Sequence, residues 1–182
     1  MFFLQMRYTS GMRHKSTVIV VHDSIQTGYS YTLNVTTGKN FDPDFKPQLT
    51  PRQMLELGVF GGDYLNDCQD EFPTEWFTNA KLSNNGYDKG FNYFKIKASQ
   101  PLSVWQQKGW IYFEDPRGWF QWYCRYYMGR RIPGEDIRQI KRWKAMTRHV
   151  SQVQKYCTAG DVLCRPRQRQ VLLHWAYDSR VL

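Results

Sequence analysis

Cysteine is scarce and scattered in this 182-residue chain: Cys68, Cys124, Cys157 and Cys164 are its four thiols. A small secreted scaffold stapled by disulfides needs a denser set, so the spacing favours thiols in a reducing compartment. Long apolar runs are also missing. No window approaches the roughly 20 consecutive apolar residues of a membrane span. The apolar start, residues 1–7, is broken by Gln5 and Arg7 and lacks the pattern of a secretory signal, so an intracellular location is expected. The sequence contains no phosphate-binding glycine loop, dinucleotide fingerprint, Gly-x-Ser-x-Gly elbow or His-Glu-x-x-His pair. Its chemistry cannot therefore be read from the common catalytic motifs.

Acidic residues are lacking in one region only. Residues 116–182 hold 14 Lys/Arg against 4 Asp/Glu, whereas residues 1–115 hold 11 against 12, so the whole net charge of +9 sits in the C-terminal third. A polarised basic chain attracts polyanions: DNA, RNA, an anionic membrane or an acidic protein face. Aromatic residues, by contrast, are abundant at 16%. Large rings supply core volume, and they also serve stacking and interface sites.

The order of local signals points to a mainly α (α+β) fold, a bundle of roughly five to seven short helices with a small N-terminal β element. Residues 16–21 and 29–36 are rich in β-branched and aromatic residues and read as a hairpin within an N-terminal extension, residues 1–49. Thr50-Pro51-Arg52-Gln53 is a capping box with proline at the first helical position, opening a helical, basic and aromatic domain over residues 50–182. Caps or first-turn prolines recur at Pro73, Pro101 and Pro116. Ile137, Ile140, Trp143, Met146, Val150, Val153 and Cys157 recur at intervals of three or four, which predicts one helix over residues 135–157 with a cationic outer side. A last helix is expected from Pro166.

Residues 118–131 interleave six aromatics with arginines. Six rings cannot share one helical face. Some should be core, leaving a ring among Trp119, Trp122 and Tyr126 to stack on bases while Arg125, Arg130 and Arg131 meet phosphates. Arg138, Lys141, Arg142 and Arg148 on the long helix, and Arg165, Arg167 and Arg169 at the start of the last one, extend this nucleic-acid-binding reading. Solvated surface arginines and an all-core aromatic set are the plainer explanations. Two further readings accompany it. In one, the chain is an enzyme acting on nucleic acid: Asp63 and Asp67, which share a face if their segment is helical, or Glu71 do acid/base work or hold Mg²⁺. In the other, it is a structural subunit of a larger assembly. No cofactor is expected, and Cys157, Cys164 and His149 are the residues that could hold Zn²⁺, although their spacing departs from that of zinc fingers.

Leu57-Gly58-Val59-Phe60-Gly61-Gly62, Asp115-Pro116-Arg117-Gly118-Trp119-Phe120-Gln121-Trp122-Tyr123-Cys124-Arg125 and Arg167-Gln168-Arg169-Gln170 together resemble a family of small uncharacterised proteins. The resemblance implies a common unit over residues 50–182 with the first 49 residues attached to it. It carries no activity and no catalytic residue.

Overall fold

Two antiparallel strands, β1 (Thr17–His22) and β2 (Thr27–Leu33), open the computed structural model, which describes residues 16–182. The apolar start at residues 1–7 lies outside the described residues. Asp23 makes the turn, its carboxylate accepting from the amides of Ile25 (2.7 Å) and Gln26 (2.8 Å). Ile19 pairs with Tyr31 and Val21 with Tyr29, so these four side chains share one face, while Val18 and Val20 point outward and are exposed. The second strand stops short of the expected residue 36. The amides of Asn34 and Val35 turn instead to the carbonyl of Gly129 (2.9 and 3.3 Å), which draws the chain out of the ladder.

Helix α1 (Pro51–Glu56) begins at the expected box. Gln53 N–H donates to Thr50 Oγ1 (3.2 Å) and Thr50 N–H to Gln53 Oε1 (2.8 Å). Such a cap contributes about 1 kcal/mol. Between α1 and residue 101 the chain runs through turns and three single 3₁₀ turns, Gln69–Glu71, Thr74–Trp76 and Lys89–Phe91, where short helices had been expected. Five more helices follow: α2 (Leu102–Gln107), α3 (Trp119–Met128), α4 (Pro133–Lys144), α5 (Thr147–Tyr156) and α6 (Pro166–His174).

The single helix expected over residues 135–157 is two helices. Met146 N–H bonds the Trp143 carbonyl, tightening the last turn of α4, and Thr147 Oγ1 caps the carbonyl of Lys144 (3.0 and 2.8 Å). The apolar stripe runs across the break, with Met146, Val150 and Cys157 packed against the core. Ile140, Trp143 and Val153 are buried, whereas Ile137 is 67% exposed.

Helix α3 is the axis of the molecule. Nine of its ten residues are buried. Phe45, from the long connection after the hairpin, is surrounded by Trp122, Tyr123, Tyr126 and Trp143 at ring separations of 5.0–5.6 Å, mostly edge to face. Tyr123 donates from behind to the carbonyl of Leu49 (2.7 Å). The helix ends at Gly129, whose φ of +123° and close approach to Val35 leave no room for a side chain: a Cβ there would sit 2.1 Å from the Val35 carbonyl oxygen. Residues 17–49 are thus built into the same core as the helices.

Candidate ligand-binding cleft

The aromatic and arginine-rich helix expected to face a partner faces inward. Trp119, Trp122 and Tyr126 are 6%, 0% and 2% exposed. Trp122 Nε1 donates to Asp136 Oδ1 (2.9 Å) and the Tyr126 hydroxyl accepts from the Asp42 amide (2.9 Å). Trp122 and Tyr126 cannot stack on a base without unfolding the core, and the little of Trp119 that is exposed lines the cleft described below. The reason is that α3 is covered on every side, so its rings fill volume all round the helix.

Arg125 and Arg130 are buried as well, for an electrostatic reason. Arg125 grips Glu71 with two bonds (2.6 and 2.9 Å), reaches Asp115 (3.1 Å), Gln26 Oε1 (2.9 Å) and the carbonyl of Glu114, and lies over the rings of Tyr29 and Tyr31. Arg130 closes on the other oxygen of Asp115 (2.6 Å). Tyr31 donates to Glu71 Oε1 (2.9 Å). Two guanidiniums and two carboxylates therefore neutralise one another inside the protein, with the hairpin tyrosines as a lid. Burial pushes the Tyr29 hydroxyl up to about 12. Burial would lower Arg125, but the hydrogen bond and charge of Glu71 outweigh it and hold the guanidinium ionised. Glu71, expected as an acid/base or metal-ligating residue, is consumed by this network.

Arg169 is the third interior arginine, 0% exposed. It bonds the carbonyls of Cys164 (2.9 Å), Asp161 (2.9 Å) and Leu182 (3.0 Å) and also that of Ser179, tying the C-terminus to the loop before α6. Its task is to satisfy backbone oxygens, not phosphates. Arg131 is half-buried against Tyr126, 3.7 Å from the ring centre, and donates to the carbonyls of Lys39 and Asn40. Arg138 forks onto Glu135 (2.7 Å twice). Lys141, Arg148, Arg165 and Arg167 are exposed.

The expected metal ligands are also redirected. Cys157 and Cys164 form a disulfide, which leaves neither sulfur as a thiolate for Zn²⁺, and the His149 ring meets Gln168 Nε2 at 3.3 Å. Among the described residues no group of three or more His, Cys, Asp or Glu converges as a metal site. Asp63 and Asp67 do not share a helical face. Their segment is a series of turns reversed at Leu65, whose φ is +62°.

The structure instead brings together a cleft of two adjoining lobes, both lined by α2 and the stretch before it, with Phe60, Tyr64, Ser99, Gln100 and Trp105 common to the two. The larger lobe, about 540 Å³, is charge-balanced: Asp63 and Asp67 stand with Lys97 and Arg117. Arg117 bonds Asp67 (2.9 Å) and Asp23 (3.1 Å). Burial would raise Asp67, but hydrogen bonds from Ser24 and Arg117 hold its carboxyl below the usual range. Two buried atoms on this wall, Arg117 Nε and Asn66 Oδ1, have no partner within the described chain.

The second lobe, about 400 Å³, is different in kind. Lys108, Arg142 and Arg167 line it among rings that include Trp105, Trp110, Trp119 and Trp175, and among the described residues of its wall there is no carboxylate. Arg142 lies 5.4 Å from the Trp175 ring and its pKa is lowered, first by burial and then by the neighbouring charge of Arg138. Lys108 sits 4.7 Å from the ring of Trp110, which is 45% exposed. His174 stacks on Phe60 at 5.1 Å and 15°, and burial pushes its pKa down to about 4, so it presents a neutral ring at pH 7.

Of the residues singled out from the sequence as phosphate contacts, this lobe uses Arg142 and Arg167. Lys108, Trp110, His174 and Trp175 are additions. Lys108-Gly109-Trp110 carried a readable signal, a cation and a ring on either side of the glycine that terminates α2. His174 and Trp175 carried none, because their role depends on Phe60 and Arg142, which are distant in the chain. In comparisons with known proteins, no family model, no curated protein and no solved structure matches this chain.

Proposed function

We propose that this protein binds nucleic acid through single-stranded nucleotide units, with the cationic lobe taking a base and its phosphate. The observation that carries the reading is the wall of that lobe: three cations, a group of large rings, and no opposing carboxylate among the described residues. An anion gains from Lys108, Arg142 and Arg167 together. A flat ring gains from Trp110 and its neighbours, where stacking contributes about 1–3 kcal/mol per base. Arg148 and Lys141 are exposed and available to phosphates further along a strand. A free nucleotide shares the chemistry of one such unit, so the two sources are separated by experiment.

Fluorescence anisotropy with labelled single-stranded DNA and RNA, repeated over a salt series and competed with a mononucleotide, makes that separation. Binding should weaken with salt at a log–log slope of about −0.7 for each phosphate neutralised. Trp110→Ala should lower affinity about tenfold or more, and Arg142→Ala with Arg167→Ala should flatten the slope. A strand-binding site holds the oligonucleotide much more tightly than the mononucleotide, whereas a site for the free nucleotide holds both alike. No binding of either at low salt would overturn the proposal.

A further inference from the structure

Residues 158–163 form a short loop whose ends are tied by the Cys157–Cys164 disulfide. Its shape is held from within and from below. The Asp161 carboxylate accepts from the amides of Leu163 (3.0 Å) and Cys164 (3.2 Å), the Asp161 amide returns to the Thr158 carbonyl (3.0 Å), and buried Arg169 bonds the carbonyls of Asp161 and Cys164. A loop ordered in this way presents its side chains without a further ordering cost on binding.

Two of its exposed side chains are large and apolar. Leu163 is 83% exposed and Val162 37%. Beside them, Tyr156 is 59% exposed and carries a cation on its ring from each flank: the Arg165 guanidinium lies 4.6 Å from the ring centre and Lys155 Nζ 5.3 Å. The single carboxylate of the loop, Asp161, is already engaged by two backbone amides.

We propose that this loop docks on an anionic phospholipid surface. Leu163 and Val162 enter the acyl boundary, Tyr156 stands at headgroup level, and Lys155 and Arg165 meet the lipid phosphates and carboxylates. A membrane interface favours each of these group types at its own depth: aliphatic tips inward, an amphipathic ring at the boundary, cations outside. A nucleic acid lacks the hydrocarbon interior from which an aliphatic tip gains most. The cationic rim in turn selects an anionic bilayer over a neutral one. With so few inserted groups the attachment is weak and reversible, and it is independent of the cleft.

The test is co-sedimentation of the full chain with phosphatidylcholine vesicles, with and without phosphatidylserine. The wild type should sediment with the phosphatidylserine vesicles and not with pure phosphatidylcholine. Leu163→Asp, at an exposed position where the fold is not at stake, should reduce the bound fraction about tenfold with an unchanged circular dichroism spectrum. Leu163→Trp should raise it, and Lys155→Glu with Arg165→Glu should abolish it. Failure to sediment with phosphatidylserine vesicles would overturn the proposal, as would equal binding by Leu163→Asp. Loss of single-stranded oligonucleotide binding in Leu163→Asp would also overturn it, by assigning the loop to the nucleic-acid surface.

Discussion

Removing the carboxylate of Glu71 tests whether the buried charges hold the fold together. Glu71→Ala strands the fully buried Arg125 with Asp115 at 3.1 Å as its remaining ionic partner, and takes the acceptor from the Tyr31 hydroxyl. Breaking a buried pair by deleting one member costs about 3–5 kcal/mol. That is a large share of the 5–15 kcal/mol that stabilises an ordinary domain. At roughly 2–4 °C per kcal/mol for a chain of this size, Tm should fall by about 6–20 °C. Urea unfolding followed by tryptophan fluorescence gives the free energy directly. The double replacement Glu71→Leu with Arg125→Met is the companion experiment. It leaves fewer charges uncompensated, so it should cost less than the two single replacements summed. A loss below about 1 kcal/mol for Glu71→Ala, or a double variant as unstable as that sum, would refute the account of the interior as a mutually neutralising network.

His174 gives a pH signature. Burial lowers its pKa from the ordinary 6.5 to about 4, so below pH 6.5 the unfolded chain takes up a proton that the folded chain does not, and stability falls as pH drops from 6.5 towards 4, by about 3 kcal/mol in all. His174→Gln should remove that part of the slope in Tm measured against pH, and an unchanged slope would show that other groups cause it. Gly129→Ala should destabilise by about 2 kcal/mol or more in urea unfolding, since the left-handed backbone and the Val35 carbonyl both oppose a Cβ. A neutral result would mean that the connection between β2 and α3 gives way freely.

Signals that depend on neighbours in sequence were legible. The Thr50 box, the start of α6 at Pro166, the hairpin and the mainly helical class all follow from local chemistry, and each is present. Solvation was not legible. Arg125 and Arg148 look alike in a sequence, yet one is fully buried and the other exposed, because Glu71 and Asp115 meet Arg125 across turns that no periodicity encodes. The basic excess therefore reads as one surface, whereas four of its arginines, Arg117, Arg125, Arg130 and Arg169, are buried. The cleft was missed for the same reason. Its walls come from α2 and the stretches flanking it, the Phe60 turn, α3, α4 and α6, and a wall assembled from so many places has no pattern along the chain.

The ionic interior also acts as a check on strand registry. Tyr29 and Tyr31 face Arg125 because alternate residues of β2 share a side. A slip of one residue would set Ser30 and Thr32, instead of the two tyrosines, beside Ile19 and Val21 on the inner face, and deny Glu71 its tyrosine hydroxyl. A two-stranded ribbon alone sets its alignment weakly. Here, a misaligned hairpin would leave a charged pocket uncovered, so the helices proofread the sheet that was made before them.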